Sequence, residues 1–403
     1  MAFFLNRRNV ETKSLGIYIH VPFCKSKCEY CDFYSLSGAR DGKQVDAYLQ
    51  AIADHMAEAG KLCPDHIVDT VYFGGGTPSF FGAEKLDKIL DEVQRSFRLG
   101  PDPEITLEAN PDSVTESGLK RLIRAGFNRI SIGVQSDDDN ILARLGRPHN
   151  FEMAKQAMDA ARKAGFANIS LDLMYGLPSQ TKTGWEETLK NVAKLRPEHL
   201  SCYALKVEEH TPLWRYRDTV NLPNDDEQAD MYLTACDYLT KLGYEHYEIS
   251  NFGKPGFASR HNMKYWMGGE YLGFGPSAAS DFAGKRFTIM RDLKSYNEGI
   301  AKKLQVLSEC ETIAARERAG EYLMLRLRTN VGISGREYEK SFLLPFAPLE
   351  ALLRKYQEHG YAEEKNGRWR FTDRGWLISN GLIVRLQEEQ ERTKPITQVT
   401  YRR

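Results

Sequence analysis

Along the first two-thirds of the chain, short unbroken apolar runs alternate with stretches in which apolar residues recur every three or four positions. The runs are LGIYIHV (15–21), VDTVYFGGG (68–76), EITLEAN (104–110), RISIGVQ (129–135), NISLDLMYG (168–176) and HLSCYALK (199–206). Their length and β-branched content predict buried parallel strands. Between them, KQVDAYLQAIADHMAEAG, AEKLDKILDEVQRSF, ESGLKRLIRAGF, FEMAKQAMDAARKAGF and WEETLKNVAKL predict amphipathic helices, several closed by glycine. Six strand–helix units in series imply an α/β fold with a parallel sheet and right-handed crossovers, either open or barrel-like. Polar or glycine-rich residues close nearly every run: His20 and Cys24, Gly74–Thr77, Glu108 and Asn110, Gln135, Asp172, Tyr203. A barrel gathers such ends at one mouth, so the pattern favours a partial (β/α)6 TIM-type barrel.

After Lys206 the alternation lapses. NDDEQADMYLTACDYLTKLGYEHYEIS predicts a capped helix and then a strand, and SRHNMKYWMGGEYLGFGPSAAS is dense in aromatics and glycine. From about residue 310 helices precede AEEKNGRWRFT, where Asn366-Gly367 marks a tight hairpin. This order resembles a winged helix. The expected division is a barrel over 1–300 and a smaller C-terminal helical, winged-helix-like domain over 301–403, with ERTKPITQVTYRR as a loosely held tail.

Composition narrows the class. The 403 residues carry 55 basic and 55 acidic side chains, so no global field draws in nucleic acid. No apolar run reaches membrane-spanning length, and Arg7-Arg8 precede no apolar export segment. The expected location is cytoplasmic. Seven cysteines, unevenly spread, argue against a disulfide framework. Cys63, Cys202, Cys236 and Cys310 are isolated and read as small buried residues.

The other three, Cys24, Cys28 and Cys31, fall within eight positions in HVPFCKSKCEYCDF. A closed zinc site needs a fourth ligand, for which His20 is the candidate. A [4Fe–4S] cluster is normally held by four thiolates, so three leave one iron open to a substrate or cosubstrate. That vacancy is the better fit to this spacing.

Cys24-x3-Cys28-x2-Cys31 after a first strand, with Tyr30 before the last cysteine, resembles the signature of the radical SAM superfamily. The resemblance implies that S-adenosylmethionine chelates the open iron. One electron from the reduced cluster then cleaves it to methionine and a 5′-deoxyadenosyl radical. Gly74-Gly75-Gly76-Thr77-Pro78 offers backbone acceptors for the ammonium of that cofactor. Glu108 and Asp172 can accept from ribose hydroxyls or hold a cation, and Arg147 can clamp a carboxylate. By the resemblance, cofactor contacts fall on Tyr18, Tyr30, Gly75, Gly76, Thr77, Glu108, Gln135, Arg147, Asp172, Ala204 and Ala279.

YIHVPFC, GGGTP, LEANP, GVQ, DLMYGLP and HNMKYW together resemble the oxygen-independent coproporphyrinogen III oxidase family, and within it the heme chaperone HemW branch. The oxidases have a further cysteine two positions after the third, where this chain has Phe33, and a longer N-terminal arm. They bind two S-adenosylmethionine molecules, so one or two are expected here. His261-Asn262-Met263-Lys264-Tyr265-Trp266 matches the HNxxYW motif that the resemblance links to heme. Imidazole is a common heme ligand, which makes His261 the candidate for the iron. Tyr265 and Trp266 offer flat faces, and Arg260 and Lys264 cations for propionates. The implied function is a heme chaperone, without oxidase activity, serving acceptor heme proteins such as membrane respiratory enzymes. It would need an electron donor for the cluster and would sit at the inner membrane periphery during delivery. The alternative is oxidative decarboxylation of coproporphyrinogen III; a zinc-containing barrel hydrolase is a third reading.

Overall fold

The six predicted runs form six strands in the computed structural model, which describes residues 12–38 and 40–396. β1 (Lys13–Val21), β2 (His66–Gly75), β3 (Leu99–Ala109), β4 (Arg129–Gln135), β5 (Asn168–Tyr175) and β6 (His199–Ala204) lie side by side in chain order, every neighbouring pair parallel. Helices pack behind them on the expected stripes. Ala83–Ser96 buries Leu86, Ile89, Leu90 and Val93, one face of a 3.6-residue repeat. Glu116–Ala125 starts where the Thr115 side chain accepts from the Gly118 N–H at 3.2 Å. All six strands therefore deliver their C-terminal ends to one side of the sheet.

The sheet extends past the six strands at both edges. Beyond β6, β7 (Glu245–Glu248) and β8 (Asn251–Gly253) add an antiparallel hairpin. On the other side of β1 lies β9 (Tyr271–Phe274), a further parallel strand. β10 (Ala279–Phe282), β11 (Lys285–Ile289) and β12 (Leu307–Thr312) follow it antiparallel. The order is β12-β11-β10-β9-β1-β2-β3-β4-β5-β6-β8-β7, a 12-stranded open sheet whose edges do not pair among the described residues. The barrel is thus partial, as expected. The sheet runs on to Thr312, past the expected division at residue 300, because β12 pairs with β11.

The C-terminal part is helical, as read: Ala315–Arg326, Gly335–Phe342 and Ala347–Glu358 precede a hairpin of Ala362–Lys365 and Arg368–Phe371. Two helices, Asp373–Leu377 and Ser379–Arg392, follow it. The start of the expected tail therefore belongs to a helix, and residues 397–403 lie outside the described residues, as do 1–11. Cys63, Cys202 and Cys236 are buried, but Cys310 is exposed: it sits on β12, at the open edge of the sheet. No helix among the described residues is long and apolar enough to cross a membrane.

The C-terminal helices join the sheet through backbone. Ile249 N–H donates to Arg328 O at 3.0 Å and Asn330 N–H to Tyr247 O at 2.9 Å, around a bridge between Glu248 and Thr329. Glu248, 1% exposed, sits in this joint and accepts from the Ser250 N–H and the Asn251 amide. Burial raises its carboxyl to about 7 against the pull of those donors. The unfolded chain titrates near ~4.3, so between the two values the native state holds an extra proton and stability falls as pH rises. Glu248→Gln keeps the side-chain shape and removes that ionisation. Its urea midpoint should fall less than the wild type's between about pH 5 and about pH 7.5; an equal fall would contradict this assignment.

Candidate metal and cofactor site

The loop after β1 carries the three clustered cysteines and is fixed at several points. Phe23 stacks on Phe81 at 5.0 Å with planes 4° apart and meets Tyr48 edge-on at 5.4 Å. The Tyr48 hydroxyl donates to His20 O at 2.7 Å. The loop closes on itself where Leu36 N–H donates to Pro22 O at 2.7 Å and Gly38 N–H to Cys24 O at 3.0 Å. Its far side is held by Glu29, whose N–H donates to Leu145 O at 3.0 Å and whose carbonyl accepts from Leu213 N–H at 2.8 Å.

The glycine-rich turn after β2 is bonded to this loop. Gly76 N–H donates to Val21 O at 2.9 Å and Thr77 N–H to Phe23 O at 2.8 Å. A Cβ on Gly76 would lie 2.8 Å from both of those carbonyl oxygens, so the two backbones approach only because the side chain is absent. The Thr77 hydroxyl donates to Cys24 Sγ at 3.3 Å. From the opposite wall, Arg147 Nη1 lies 3.6 Å from Cys28 Sγ, while Nη2 donates to Asn110 Oδ1 and Gly133 O, both at 2.8 Å. A Cβ on Gly133 would fall 3.2 Å from Arg147 Nη2 and 2.8 Å from the Gln135 amide nitrogen. Gln135 itself has φ 67°, a left-handed conformation stored at the end of β4.

These sulfurs suit a thiolate-bound cluster. Burial raises the Cys24 thiol and pushes Cys31 up to about 11, so free thiols here stay protonated near neutrality and a metal must displace the protons. Donors already aim at two of the sulfurs, as in the hydrogen-bonded surroundings that tune iron–sulfur clusters. His20, the fourth ligand of a zinc set, lies outside the cysteine cleft. Its ring is 3% exposed, with Nε2 on Tyr34 O at 2.9 Å and Nδ1 on the Tyr18 hydroxyl at 3.2 Å. Cys24, Cys28 and Cys31 would therefore hold a [4Fe–4S] cluster by three corners.

The cleft over the cysteines has a volume of about 620 Å³. Tyr18, Tyr30, Gly75, Gly76, Thr77, Glu108, Gln135, Arg147, Asp172 and Ala204 all line it, every expected cofactor position but one. Ala279 instead borders a neighbouring cavity, because β10 turns back antiparallel beside β9 and carries it there. Two carboxylates stand at the floor of the cleft. Glu108 accepts from the Tyr72 hydroxyl at 2.8 Å and the Gly75 N–H at 3.2 Å, and burial raises it to about 7. Asp172 accepts from the Ser131 hydroxyl at 2.9 and 3.0 Å and is likewise raised by burial. A cation entering the cleft favours the charged form of both.

The neighbouring cavity measures about 880 Å³ and shares Tyr18, Asp32 and Phe33 with the cleft. Tyr265 and Trp266 line it, but His261 does not. The imidazole is 1% exposed, with Nδ1 on the Thr70 hydroxyl at 2.9 Å and Nε2 on the Tyr265 hydroxyl at 2.7 Å. Burial, aided by Lys264 and Arg129, lowers it to about 3. Nor do the expected propionate partners face the cavity. Lys264 pairs with Asp69 at 2.8 Å, and the Arg260 guanidinium donates to Asp102 O and Asp69 O. Both residues serve the packing of helix Arg260–Trp266, whose first N–H groups donate to the Glu104 carboxylate.

Four arginines reach the cavity: Arg286 and Arg318 are paired there with Asp281 and Glu321, while Arg291 and Arg326 are not, and none of the four was legible in sequence. Arg291 and Arg326 come from separate parts of the chain and carry no motif. Ser131, which positions Asp172, was likewise missed.

Residues 18–192 match the radical SAM superfamily and residues 313–378 the HemN C-terminal domain. The chain is 33% identical over 377 residues to the heme chaperone HemW of Lactococcus lactis, covering 92% of this chain and 97% of that one. It is 34% identical over 374 residues to the heme chaperone HemW of Escherichia coli, covering 93% and 98%. Coproporphyrinogen III oxidase (HemN) from Escherichia coli has the same fold, with a TM-score of 0.81 at 23% identity over 93% of this chain and 90% of that one. Identity of this order along nearly the whole length means that the chain belongs to the HemW heme chaperone family of the radical SAM superfamily.

Proposed function

We propose that this protein holds heme in the larger cavity and passes it to acceptor heme proteins. In this reading Cys24, Cys28 and Cys31 bind a [4Fe–4S] cluster and the adjoining cleft takes S-adenosylmethionine. The observation that carries it is the wall of that cavity. Tyr265 and Trp266 of the HNxxYW motif supply aromatic surface there, and Phe33, 68% exposed, adds an apolar face at the junction with the cleft. Of the cavity's four guanidinium groups, Arg286 and Arg318 are already paired with Asp281 and Glu321, which leaves two. Arg291 donates to Asp32 O at 3.1 Å and lies over the Tyr34 ring. Arg326 lies over the Tyr322 ring at 5.3 Å, and its Nε is buried without a partner. Among the described residues neither forms an ion pair with a carboxylate. An apolar dicarboxylate such as heme would satisfy both the aromatic surface and the free cations.

Tyr265, in front of His261, is the first group of the motif that a macrocycle would meet. Phenolate and imidazole both ligate heme iron, and His261 would reach it only after the Tyr265 hydroxyl gives way. Ala279 borders the same cavity, so a second S-adenosylmethionine there and heme would exclude one another. Delivery to respiratory enzymes of the membrane is the matching acceptor class, with an electron donor required for the cluster. The second reading, coproporphyrinogen III oxidation, is favoured by the completeness of the cysteine and cofactor cleft.

Titration with ferric heme should give a saturable Soret shift. Arg291→Ala and Arg326→Ala should each weaken binding by roughly tenfold, the value of one charge-assisted hydrogen bond. Tyr265→Phe should change the Soret position more than His261→Ala; the reverse order would return the ligand to His261, and unchanged affinity in both arginine variants would remove heme from this cavity. Incubated anaerobically with coproporphyrinogen III, S-adenosylmethionine and a reductant, the protein should yield no protoporphyrinogen; turnover would favour the oxidase.

A further inference from the structure

A second cluster of metal-ligating side chains lies far along the chain from the cysteine loop, where the barrel meets the C-terminal helices. It comprises Cys236 on helix Asp225–Lys241, His246 on β7 and Asp373, the first residue of helix Asp373–Leu377. One ligand atom from each lies within 4.8 Å of the other two. Cys236 is 2% exposed and the His246 side chain 6% exposed, while Asp373 opens to solvent.

The histidine is held in an unusual way. Its ring is stacked on Phe252 at 4.1 Å and meets Trp376 edge-on at 4.4 Å, so it cannot rotate freely. Nδ1 faces an Asp373 carboxylate oxygen at 2.9 Å and Nε2 faces the Ile249 carbonyl oxygen at 3.4 Å. Both neighbours are acceptors, and a neutral imidazole has only one N–H. With the proton on Nδ1 the ring donates to Asp373; with it on Nε2 the Ile249 carbonyl accepts it and the Nδ1 lone pair is free to join Asp373 on a cation. A ring N–H held by a backbone carbonyl is also how metal-bound histidines are commonly oriented.

An independent sign comes from Tyr232, one turn before Cys236 on the same helix. Its hydroxyl is buried facing the Cys236 sulfur, without a well-formed hydrogen bond to any group among the described residues. Cys236 and Asp373 lie close enough that their charges add to the effect of burial in raising its pKa.

We infer that Cys236, His246 and Asp373 form a zinc site that ties the C-terminal domain to the edge of the barrel. One thiolate and one carboxylate neutralise a divalent ion, which a largely buried site requires. A thiolate–imidazole–carboxylate set suits zinc and not the hard cations magnesium or calcium. The Tyr232 hydroxyl supplies a hydrogen-bonding group for a water in the fourth position. Binding releases the Cys236 thiol proton and changes no oxidation state.

The test uses full-length, cluster-loaded protein, so that the cysteine loop is already filled with iron. After incubation with zinc and gel filtration, mass spectrometry should find one zinc per chain beside the iron. Cys236→Ser and Asp373→Asn should each lose the zinc while iron content stays constant. Zinc should also raise the melting temperature of the wild type and of neither variant. As a check that does not rely on the cluster, cobalt added to a Cys24→Ala, Cys28→Ala, Cys31→Ala protein should give a thiolate charge-transfer band that Cys236→Ser abolishes. No retained zinc in the wild type, or zinc and the cobalt band surviving Cys236→Ser, would overturn the site.

Discussion

Three sulfurs on one short loop, with no fourth cysteine or histidine lining their cleft among the described residues, constrain everything around them. A loop of this kind has to be rigid before metal arrives, since burial keeps the Cys24 and Cys31 thiols protonated and so offers no electrostatic help. The rigidity comes from neighbours: the aromatic packing of Phe23, the pair of backbone bonds from Gly76 and Thr77, and the anchoring of Glu29 to residues 145 and 213. The parallel sheet brings these neighbours together because every strand from β1 to β6 ends on the same side. The Thr77 hydroxyl and the Arg147 guanidinium then reach the sulfurs from two further strand ends.

The cleft and the larger cavity are also linked through side chains. Glu108 on the cleft floor accepts from Tyr72, whose ring stacks on His261 at 5.1 Å, and His261 in turn bonds Tyr265 at the cavity wall. Occupancy of the cleft changes the charge favoured on Glu108, and that group is three contacts from Tyr265 at the wall of the proposed heme cavity. In the HNxxYW sequence His261 is buried between Tyr72 and Tyr265, while Tyr265 and Trp266 line the larger cavity.

Much of this was legible in the chain because fully buried parallel strands leave unbroken apolar runs, and their polar ends then mark the mouth. Ten cofactor positions from Tyr18 to Ala204 met in one cleft for that reason. β9 escaped notice because Tyr271–Phe274 is only four residues long and includes a glycine. Ala279 borders the neighbouring cavity and not the cleft, a separation the sequence did not show because the antiparallel return of β10 has no signature of its own. Cys310 resembled the buried cysteines in its isolation, yet isolation in sequence says nothing about an edge strand. His261 and Lys264 had the right chemistry for heme, but Thr70, Tyr265 and Asp69 already bind them, and such pairing appears only once distant elements pack. Arg291 and Arg326 became visible for the same reason.

The vacancy at the cluster can be measured directly. Protein reconstituted anaerobically and reduced would be studied by electron paramagnetic and double resonance, alone and with S-adenosylmethionine labelled with ¹⁷O in its carboxylate. A four-iron cluster held by Cys24, Cys28 and Cys31 predicts a changed signal and a ¹⁷O coupling to one iron. A spectrum that the cofactor leaves unaltered, or metal that proves to be zinc at those cysteines, would contradict it.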